Sequence, residues 1–394
     1  MNKLPTLTRR ARWAIPAGAV ALAGALTAGT MISTAQASPE LPVRTPAQLL
    51  ASVAGRDAPL PALTGTVVET ASLGLPQLPG SANPNSATAL LAGSHTIKVW
   101  YADPTHIRLA VPVTMSETDL VRSGRQVWVW QSSSNTVTRM QLPARDGRAG
   151  LHPAPMPSQL PQTPQQAASQ ALKAVGPSTR VSVQRNVTVA GRPAYQLVLS
   201  PKAGGSLIGR IAIAIDATKN VPLRVQVFAK GAASPAFQVG YTSISFVKPA
   251  AANFSFPTPA GAKVKVVRPP ADTTGPTSAK DKKASGEPQV IGKDWLSVAV
   301  LPASALAGVN GTGDASSVAG QAAQSAAGSP AGGGGEDAAV AAALLKTATP
   351  VHGAWGSGKL LHTSLVSVLM TSDGHVLVGA VTPAVLESAA AQIK

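Results

Sequence analysis

A run of short apolar segments over residues 95–142 restricts the possible folds more than any other part of the chain. Segments rich in Val, Ile, Thr and Trp alternate there with Gly, Pro, Asp, Asn and Ser, which is the pattern of β-strands joined by turns. Successive side chains of a strand point to opposite faces, so Val127 and Val129 share one face, and Trp128 and Trp130 share the other. Both faces are apolar. We therefore expect a sheet that is covered on both sides, by protein or, on one side, by a bound apolar guest.

The first 37 residues have the three parts of an export signal. Four basic residues within the first twelve positions precede an apolar stretch over residues 14–32, and a small-x-small cleavage site ends at Ala37. We expect an exported, extracytoplasmic protein of the cell envelope whose signal peptide, residues 1–37, is cleaved after Ala37. The alternative is an uncleaved N-terminal anchor, because a stretch of about 20 apolar residues can span a bilayer.

Two segments that begin with Thr-Pro are predicted to be short helices. Thr45-Pro46 opens a helix that ends before Gly55, and Thr163-Pro164 opens another that stops at Gly176. Threonine is a favourable N-cap, and proline is favourable at the first helical position. Strand-like segments follow each helix. The order helix, strands, helix, strands predicts a mainly β (α+β) fold, in which a half-open antiparallel β-barrel carries covering helices on its concave side.

Changes in composition along the chain predict two domains joined by a linker. We predict the half-barrel domain over residues 42–267, a proline-containing charged linker over residues 268–290, and a small C-terminal α+β domain over residues 291–394. The charge run within the linker is typical of a solvated segment.

The small domain combines a predicted strand at residues 295–301, a hairpin over residues 365–381 and a helix that begins at Thr382. It also contains a Gly/Ala/Ser-rich tract over residues 308–337, which is typical of a flexible tether. The four consecutive glycines of this tract do not form a phosphate-binding loop, because no Lys-Ser/Thr follows them.

The candidate site is an apolar cavity between the sheet and its helices. Trp128 and Trp130 have two interpretations that are compatible if the helices form a lid: they pack in the core, or they form the wall of a cavity for an apolar ligand. Our candidate cavity-lining residues are the apolar positions of the predicted strands and helices: Leu49, Leu50, Val53, Val99, Trp100, Leu109, Val127, Trp128, Val129, Trp130, Leu172, Ile211, Ile213 and Val225.

Composition argues against several classes of function. The chain has no cysteine, and its six histidines are not at metal-ligand spacing, so we predict no metal and no cofactor. The net charge of +16 favours anionic surfaces. The basic residues are scattered, however, and no nucleic-acid motif is present, so we predict no nucleic-acid partner. We expect a monomer.

Catalytic groups are also scarce. No Gly-x-Ser-x-Gly motif occurs, and acid–base catalysis requires positioned carboxylates or histidines. Among the carboxylates, Asp216 lies at the end of a predicted strand, and Glu117 and Asp119 lie in a predicted turn. We interpret all three as solvated turn residues and predict that the protein is not an enzyme.

Several short motifs carry a resemblance to a known family. They are Thr-Pro-Ala-Gln-Leu-Leu at 45–50, Leu-Thr-Gly-Thr-Val at 63–67, Asp-Pro-Thr-His-Ile-Arg at 103–108, Gly-Arg-Gln-Val-Trp-Val-Trp at 124–130, Ile-Asp at 215–216, Val-Pro-Leu-Arg at 221–224 and Phe-Ser-Phe-Pro-Thr-Pro-Ala-Gly-Ala at 254–262. With these motifs the chain resembles the actinobacterial members of the LolA/RseB (MucB) superfamily, which includes the outer-membrane lipoprotein carrier and the sigma-E regulatory protein.

The resemblance implies an unclosed β-barrel with an apolar, helix-covered concave face that accepts acyl chains or a lipidated polypeptide. Two functions follow from it. The protein would be a carrier or chaperone for a lipid or an acylated lipoprotein. Alternatively, it would be an RseB-like regulatory module that binds a membrane-bound anti-sigma factor or another envelope protein.

Overall fold

A twelve-stranded sheet dominates the fold. The structure is a computed structural model that describes residues 40–54, 60–74, 92–113, 115–142, 162–173, 175–267, 289–302 and 347–393. The strands of the large sheet are β1 (Leu63–Ser72), β2 (Ala92–Asp103), β3 (His106–Val113), β4 (Ser116–Ser123), β5 (Gln126–Gln131), β6 (Thr136–Gln141), β7 (Thr179–Val189), β8 (Arg192–Pro201), β9 (Ile208–Asp216), β10 (Pro222–Ala229), β11 (Phe237–Ser245) and β12 (Lys263–Val267).

Two antiparallel meanders meet in the middle of this sheet. The order is β12-β6-β5-β4-β3-β2-β1-β11-β10-β9-β8-β7, so β1 pairs with β11, and Thr64 lies opposite Ser245. Only β12 runs parallel to its neighbour, with Lys263 opposite Thr136 on β6. The two edge strands, β12 and β7, are not neighbours, and the sheet is therefore not a closed barrel. The predicted mainly β, half-open fold is confirmed. Glu117 and Asp119 both lie within β4, so the turn predicted at these two positions is wrong.

Two helices pack on one face of the large sheet. They are α1 (Pro46–Ala54) and α2 (Pro164–Lys173). Both begin with a capping box, as the Thr-Pro-x-Gln sequences favour: the Thr45 amide donates to Gln48 Oε1 (2.8 Å), and the Thr163 amide donates to Gln166 Oε1 (2.9 Å). Strand β6 lies near one edge of the sheet, β7 forms the other edge, and one segment connects them in the sequence. Helix α2 belongs to that segment and packs on β10 and β11.

The helix-covered face, which we call the inner face, forms the main core. Leu49 of α1 and Ala168 of α2 are fully buried against it. The sheet contributes alternate residues of its strands, among them Leu63, Val67, Ile97, Val99, Leu109, Leu120, Leu197, Leu199, Ile211, Ile213, Val225, Val239 and Tyr241.

The opposite face, which we call the outer face, is covered on β3 to β5 by residues 247–262, which we call the strap. The strap contains a 3-10 helix, Ala251–Phe254, and then leads into β12. The buried ring of Phe254 packs edge-on against His106, with ring centroids 5.7 Å apart. Phe256 stacks on Trp128 at 6.1 Å. The sheet is thus covered on both sides, as its two apolar faces predicted.

A second, six-stranded sheet forms from the C-terminal part of the chain. Its order is β13-β14-β18-β17-β16-β15, and helix α3 (Pro383–Ala390) packs on β17 and β18. Its strands are β13 (Gln289–Ile291), β14 (Val298–Pro302), β15 (Thr349–Gly353), β16 (Gly356–His362), β17 (Ser367–Thr371) and β18 (His375–Gly379). The strand predicted at 295–301 begins later, at Val298, because residues 294–296 form a 3-10 helix that turns Trp295 into the main core.

Direct contacts join the two sheets, which belong to the same compact unit, Leu41–Lys394. Ser206 forms an isolated β-bridge with Val381, and the Leu207 amide donates to the Ala380 carbonyl (2.9 Å). The Trp295 indole donates to Thr179 Oγ1 (2.8 Å).

Other predicted segments lie outside the described residues. These are the signal peptide, most of the 268–290 linker, and the 308–337 tether. Within the described ranges, no helix is both long enough and apolar enough to cross a membrane.

Candidate functional site

An apolar cavity lies between the inner face and the start of helix α2. Its volume is about 150 Å³, and it is partly open to solvent. Strands β1 to β5 and β11 supply most of its wall, and Leu60, Thr163, Gln165 and Gln166 supply the rest. The full lining is Leu60, Leu63, Val99, Tyr101, Ile107, Leu109, Leu120, Arg122, Val127, Thr163, Gln165, Gln166 and Tyr241.

Three of the predicted site residues line this cavity: Val99, Leu109 and Val127. The strand register brings them together, because Val99 lies opposite Leu109, which lies opposite Leu120, which lies opposite Val129. Val129 therefore shares the inner face and packs against the main core without reaching the cavity.

Seven further predicted residues pack in the main core away from the cavity. Helices α1 and α2 lie directly on the β7-to-β11 half of the sheet and fill the space there with side chains. This group comprises Leu49, Leu50, Val53, Leu172, Ile211, Ile213 and Val225.

Trp100, Trp128 and Trp130 lie on the outer face, so their prediction as cavity-lining residues is corrected. Val99 and Val127 point inward, and strand alternation sends the neighbouring tryptophans to the other side. Trp128 stacks on Phe256 of the strap, and the Trp130 indole donates to Asn135 Oδ1 (3.3 Å). Trp128 and Trp130 therefore have the packing role that was the other of their two interpretations, and the element that packs on Trp128 is the strap and not a helix.

Several residues of the cavity lining were not among the predicted site residues. Ile107 lies opposite Tyr101 across the β2–β3 turn, and Arg122 lies opposite both Ile107 and Val127. Once Val127 is placed on the inner face, pairing across the turns also places Tyr101, Ile107 and Arg122 on this face. The lining residues Leu60 and Tyr241 follow only from the tertiary structure.

A hydrogen-bonded pair lies where α2 meets the cavity. The side-chain amide of Gln165 donates to the Tyr241 hydroxyl (3.0 Å). Burial raises the pKa of Tyr241 to about 12, an effect that the hydrogen bond to Gln165 partly opposes, so the hydroxyl is neutral at physiological pH. The ring of Tyr241 lies over Gly65, where a Cβ atom would come within 2.8 Å of it. Gly65 is therefore needed for this close approach.

Comparisons with known proteins give similarities of structure alone. No family model matches the chain, and no curated protein matches its sequence. Among solved structures, the chain is similar to one from the Pseudomonas aeruginosa MucA/MucB complex, with 16% sequence identity and a TM-score of 0.40. The match covers 88% of this chain and 96% of the Pseudomonas chain. A LolA superfamily protein from Nitrosomonas europaea covers 54% of this chain and 99% of its own, with 10% identity and a TM-score of 0.22.

These two solved structures are thus a MucA/MucB complex and a LolA superfamily protein. Both TM-scores are below 0.5. We therefore base the functional proposal on the cavity of this chain and not on these neighbours.

A buried carboxylate anchors the start of α2. Glu69 lies on the inner face of β1, opposite His95, and accepts a hydrogen bond from the Gln162 amide (2.6 Å). Burial raises the pKa of Glu69, and the Gln162 amide and His95 partly offset this effect. This contact ties the residue before the N-cap of α2 to the centre of the sheet.

Two other carboxylates are buried in ion pairs, so their interpretation as solvated turn residues is wrong. Asp119 accepts hydrogen bonds from Arg108 Nε (3.0 Å) and Nη2 (2.7 Å) on the outer face. Asp216, which is fully buried, accepts from Arg192 and from two backbone amides. Both pairs lie outside the cavity lining. Within the described part of the chain, no three His, Asp or Glu side chains are grouped as metal ligands would be.

Proposed function

We propose that this protein is an exported carrier or chaperone that binds the acyl chain of a lipid or lipoprotein in the cavity beneath α2. The observation that supports this most is the apolar inner-face wall of a cavity that is open to solvent. Burial of each methylene group gains about 0.8 kcal/mol, so an acyl chain binds such a wall without further polar contacts. The signal-like N-terminal sequence supports an extracytoplasmic location.

The size of the cavity implies that α2 moves when a long chain binds. An apolar cavity of about 150 Å³ holds a guest of the size of benzene, which is only a small part of a fatty acyl chain. The buried residues of α2 are Pro164, Ala167, Ala168 and Ala171. Small side chains bury little apolar area, so displacement of this helix costs less than displacement of a leucine-lined one. We therefore propose that α2 is a displaceable lid.

Filling the cavity tests this proposal. Val99 lines the cavity, and Val99→Phe would occupy part of the space that the acyl chain needs. We expect the wild type to take up a fluorescent fatty acid and Val99→Phe to bind it at least about tenfold more weakly, since the loss of only two buried methylene groups, at about 0.8 kcal/mol each, already lowers the affinity about tenfold. Binding is measured by fluorescence titration, and folding by circular dichroism.

The matched control is Ser94→Phe, which adds the same ring to an exposed position on the outer side of the same strand. It should bind the probe like the wild type. Two results together would refute the carrier function: no uptake by the wild type, and no co-purifying lipid in native mass spectrometry of protein from its own envelope.

A second candidate function is the regulatory module that binds an anti-sigma factor. The observation that favours it is the exposed edge strand β12, where Val264, Val266 and Val267 are 51%, 71% and 41% exposed. An apolar edge strand can pair with a strand of a partner polypeptide. Crosslinking in the native envelope should then capture a membrane protein with an extracytoplasmic segment, and Val266→Asp should abolish the crosslink. Val43→Asp, at an exposed valine outside β12, should retain it.

A further inference from the structure

Arg122 is the one charged residue in the lining of the described cavity. We propose that its guanidinium group binds the carboxylate head of a single-chain amphiphile whose tail occupies the cavity. This inference rests on the proposed carrier function and specifies the class of ligand: an acyl chain that ends in an anionic group.

The register of the sheet places Arg122 within the apolar wall. One row of inner-face residues crosses five strands, in the order Leu63, Tyr101, Ile107, Arg122 and Val127. All five line the cavity. The guanidinium group is therefore attached to a strand in the middle of the wall, and its position is fixed more firmly than it would be on a loop.

The acidic residues of the same strand face away from Arg122. Glu117 and Asp119 alternate with the inward residues of β4 and belong to the outer face, where Asp119 pairs with Arg108. Strand β4 thus directs its positive charge toward the cavity and its negative charges away from it. This separation leaves a net positive charge at the cavity wall.

The hydrogen bonds of Arg122 leave its outer nitrogens available to a ligand. Its Nε donates to the Gly124 carbonyl (3.1 Å) in the β4–β5 turn. Among the described residues, no carboxylate lies within ion-pair distance of Arg122, and no protein acceptor binds its two terminal nitrogens. A cation beside an apolar wall is costly unless it is paired, and a guanidinium group matches a carboxylate with two parallel hydrogen bonds.

The position of Arg122 also suits the two parts of an amphiphile. The side chain is half-buried, whereas Val99, Leu109 and Leu120 in the next row are buried. A ligand with its head at Arg122 would place its first methylene groups against these three residues and its head in contact with water. The apolar wall would then supply affinity, and Arg122 would supply orientation and selectivity for acids.

The test compares oleate with methyl oleate, which has the same chain and no charge. We expect the full mature protein to bind oleate at least about tenfold more tightly than methyl oleate, as judged by displacement of a fluorescent fatty acid. Arg122→Gln should lose this preference and keep its affinity for methyl oleate. Arg139→Gln removes the same charge from an exposed position on the outer face and should behave like the wild type.

The outcomes separate this inference from the proposed function. If the wild type binds both ligands equally, or if folded Arg122→Gln still prefers oleate, the assignment of Arg122 is overturned and the carrier function stands. If the wild type binds neither ligand, this inference is overturned, and the carrier function fails as well when native mass spectrometry also finds no co-purifying lipid. The wild-type comparison needs no variant, so equal binding of the two ligands would overturn the assignment even if Arg122→Gln does not fold.

Discussion

At the scale of single residues, the buried carboxylates show how strongly the tertiary structure changes the properties of a side chain. Burial raises the pKa of Asp119 despite the opposing effect of Arg108. For Asp216, burial is again the largest effect and acts upward, but Arg192 and the amides of Lys219 and Thr218 together outweigh it, and the pKa is lowered. Ionised Asp216 therefore stabilises the folded chain.

This difference predicts a pH-dependent effect of Asp216→Asn. Because the folded pKa of Asp216 is lowered, its contribution is fully present above the unfolded pKa of about 3.9 and is lost as the pH falls through the lower folded value. At pH 7, Asp216→Asn should cost about 3–5 kcal/mol, since it leaves Arg192 with no counter-ion. Urea unfolding at pH 7 and pH 3 should show that the cost shrinks at the lower pH.

The control is Asp373→Asn, at an exposed carboxylate beside His375. The pKa of Asp373 is also lowered, first by Thr371 and then by His375, but solvent screens these exposed contacts, so the substitution should change the free energy of unfolding little at either pH. A cost of Asp216→Asn that is the same at both pH values would mean that the ionisation of Asp216 does not contribute to stability.

Local rules predicted the positions of the elements better than they predicted the environments of single residues. Thr45 and Thr163 predict where the two helices begin, because helix capping depends only on residues that are close in the sequence. The burial of Asp119 depends on Arg108 in the adjacent strand, which only the sheet register reveals. Likewise, strand alternation predicts that the valines and the tryptophans of residues 127–130 lie on opposite faces of the sheet. Which of these two faces lines the cavity depends on where the helices and the strap pack.

At the scale of elements, the strap explains why the outer face carries aromatic rings. It begins after β11, crosses β3 and β4 with its 3-10 helix, and continues into β12. The closing motif at residues 254–262, one of those that carry the family resemblance, belongs to the strap. Its two phenylalanines therefore cover the outer face of the sheet and do not line the cavity.

Truncation of the strap anchor should separate stability from ligand binding. Phe254→Ala removes a buried ring and should destabilise the fold by about 3–5 kcal/mol in urea unfolding, the usual cost of a large-to-small change in a core. Fatty-acid uptake by the folded fraction should remain unchanged, because the inner face is not altered.

The matched control for the strap is Val247→Ala, since Val247 is 72% exposed in the same segment. It should alter stability by less than about 0.5 kcal/mol. Equal effects of the two substitutions would show that Phe254 does not anchor the strap.

At the scale of the whole molecule, the two sheets share a contact that joins their cores. Trp295 belongs to the C-terminal part of the sequence, yet it is buried in the main core beside Thr179. Ser178 adds a hydrogen bond from its hydroxyl to Asp294 Oδ2 (2.8 Å). The residues before β14 therefore tie the second sheet to the start of β7.

This contact predicts that the two sheets unfold together. In the wild type, far-ultraviolet circular dichroism and tryptophan fluorescence should report one coincident urea transition. Trp295→Ala should separate the signals into two transitions, because the linking ring is lost. Trp295→Phe keeps an aromatic ring and should retain one transition. Two transitions in the wild type would contradict the coupling.

The pairing of β1 with β11 has a consequence for how the chain reaches its native state. Thr64 meets Ser245, so the central pair of the sheet forms only after both meanders have been synthesised. Contacts between residues so far apart in sequence slow folding, and in the meantime β1 presents a free edge on which chains can aggregate. Nascent molecules should therefore depend on holding chaperones until the last strand of the second meander arrives.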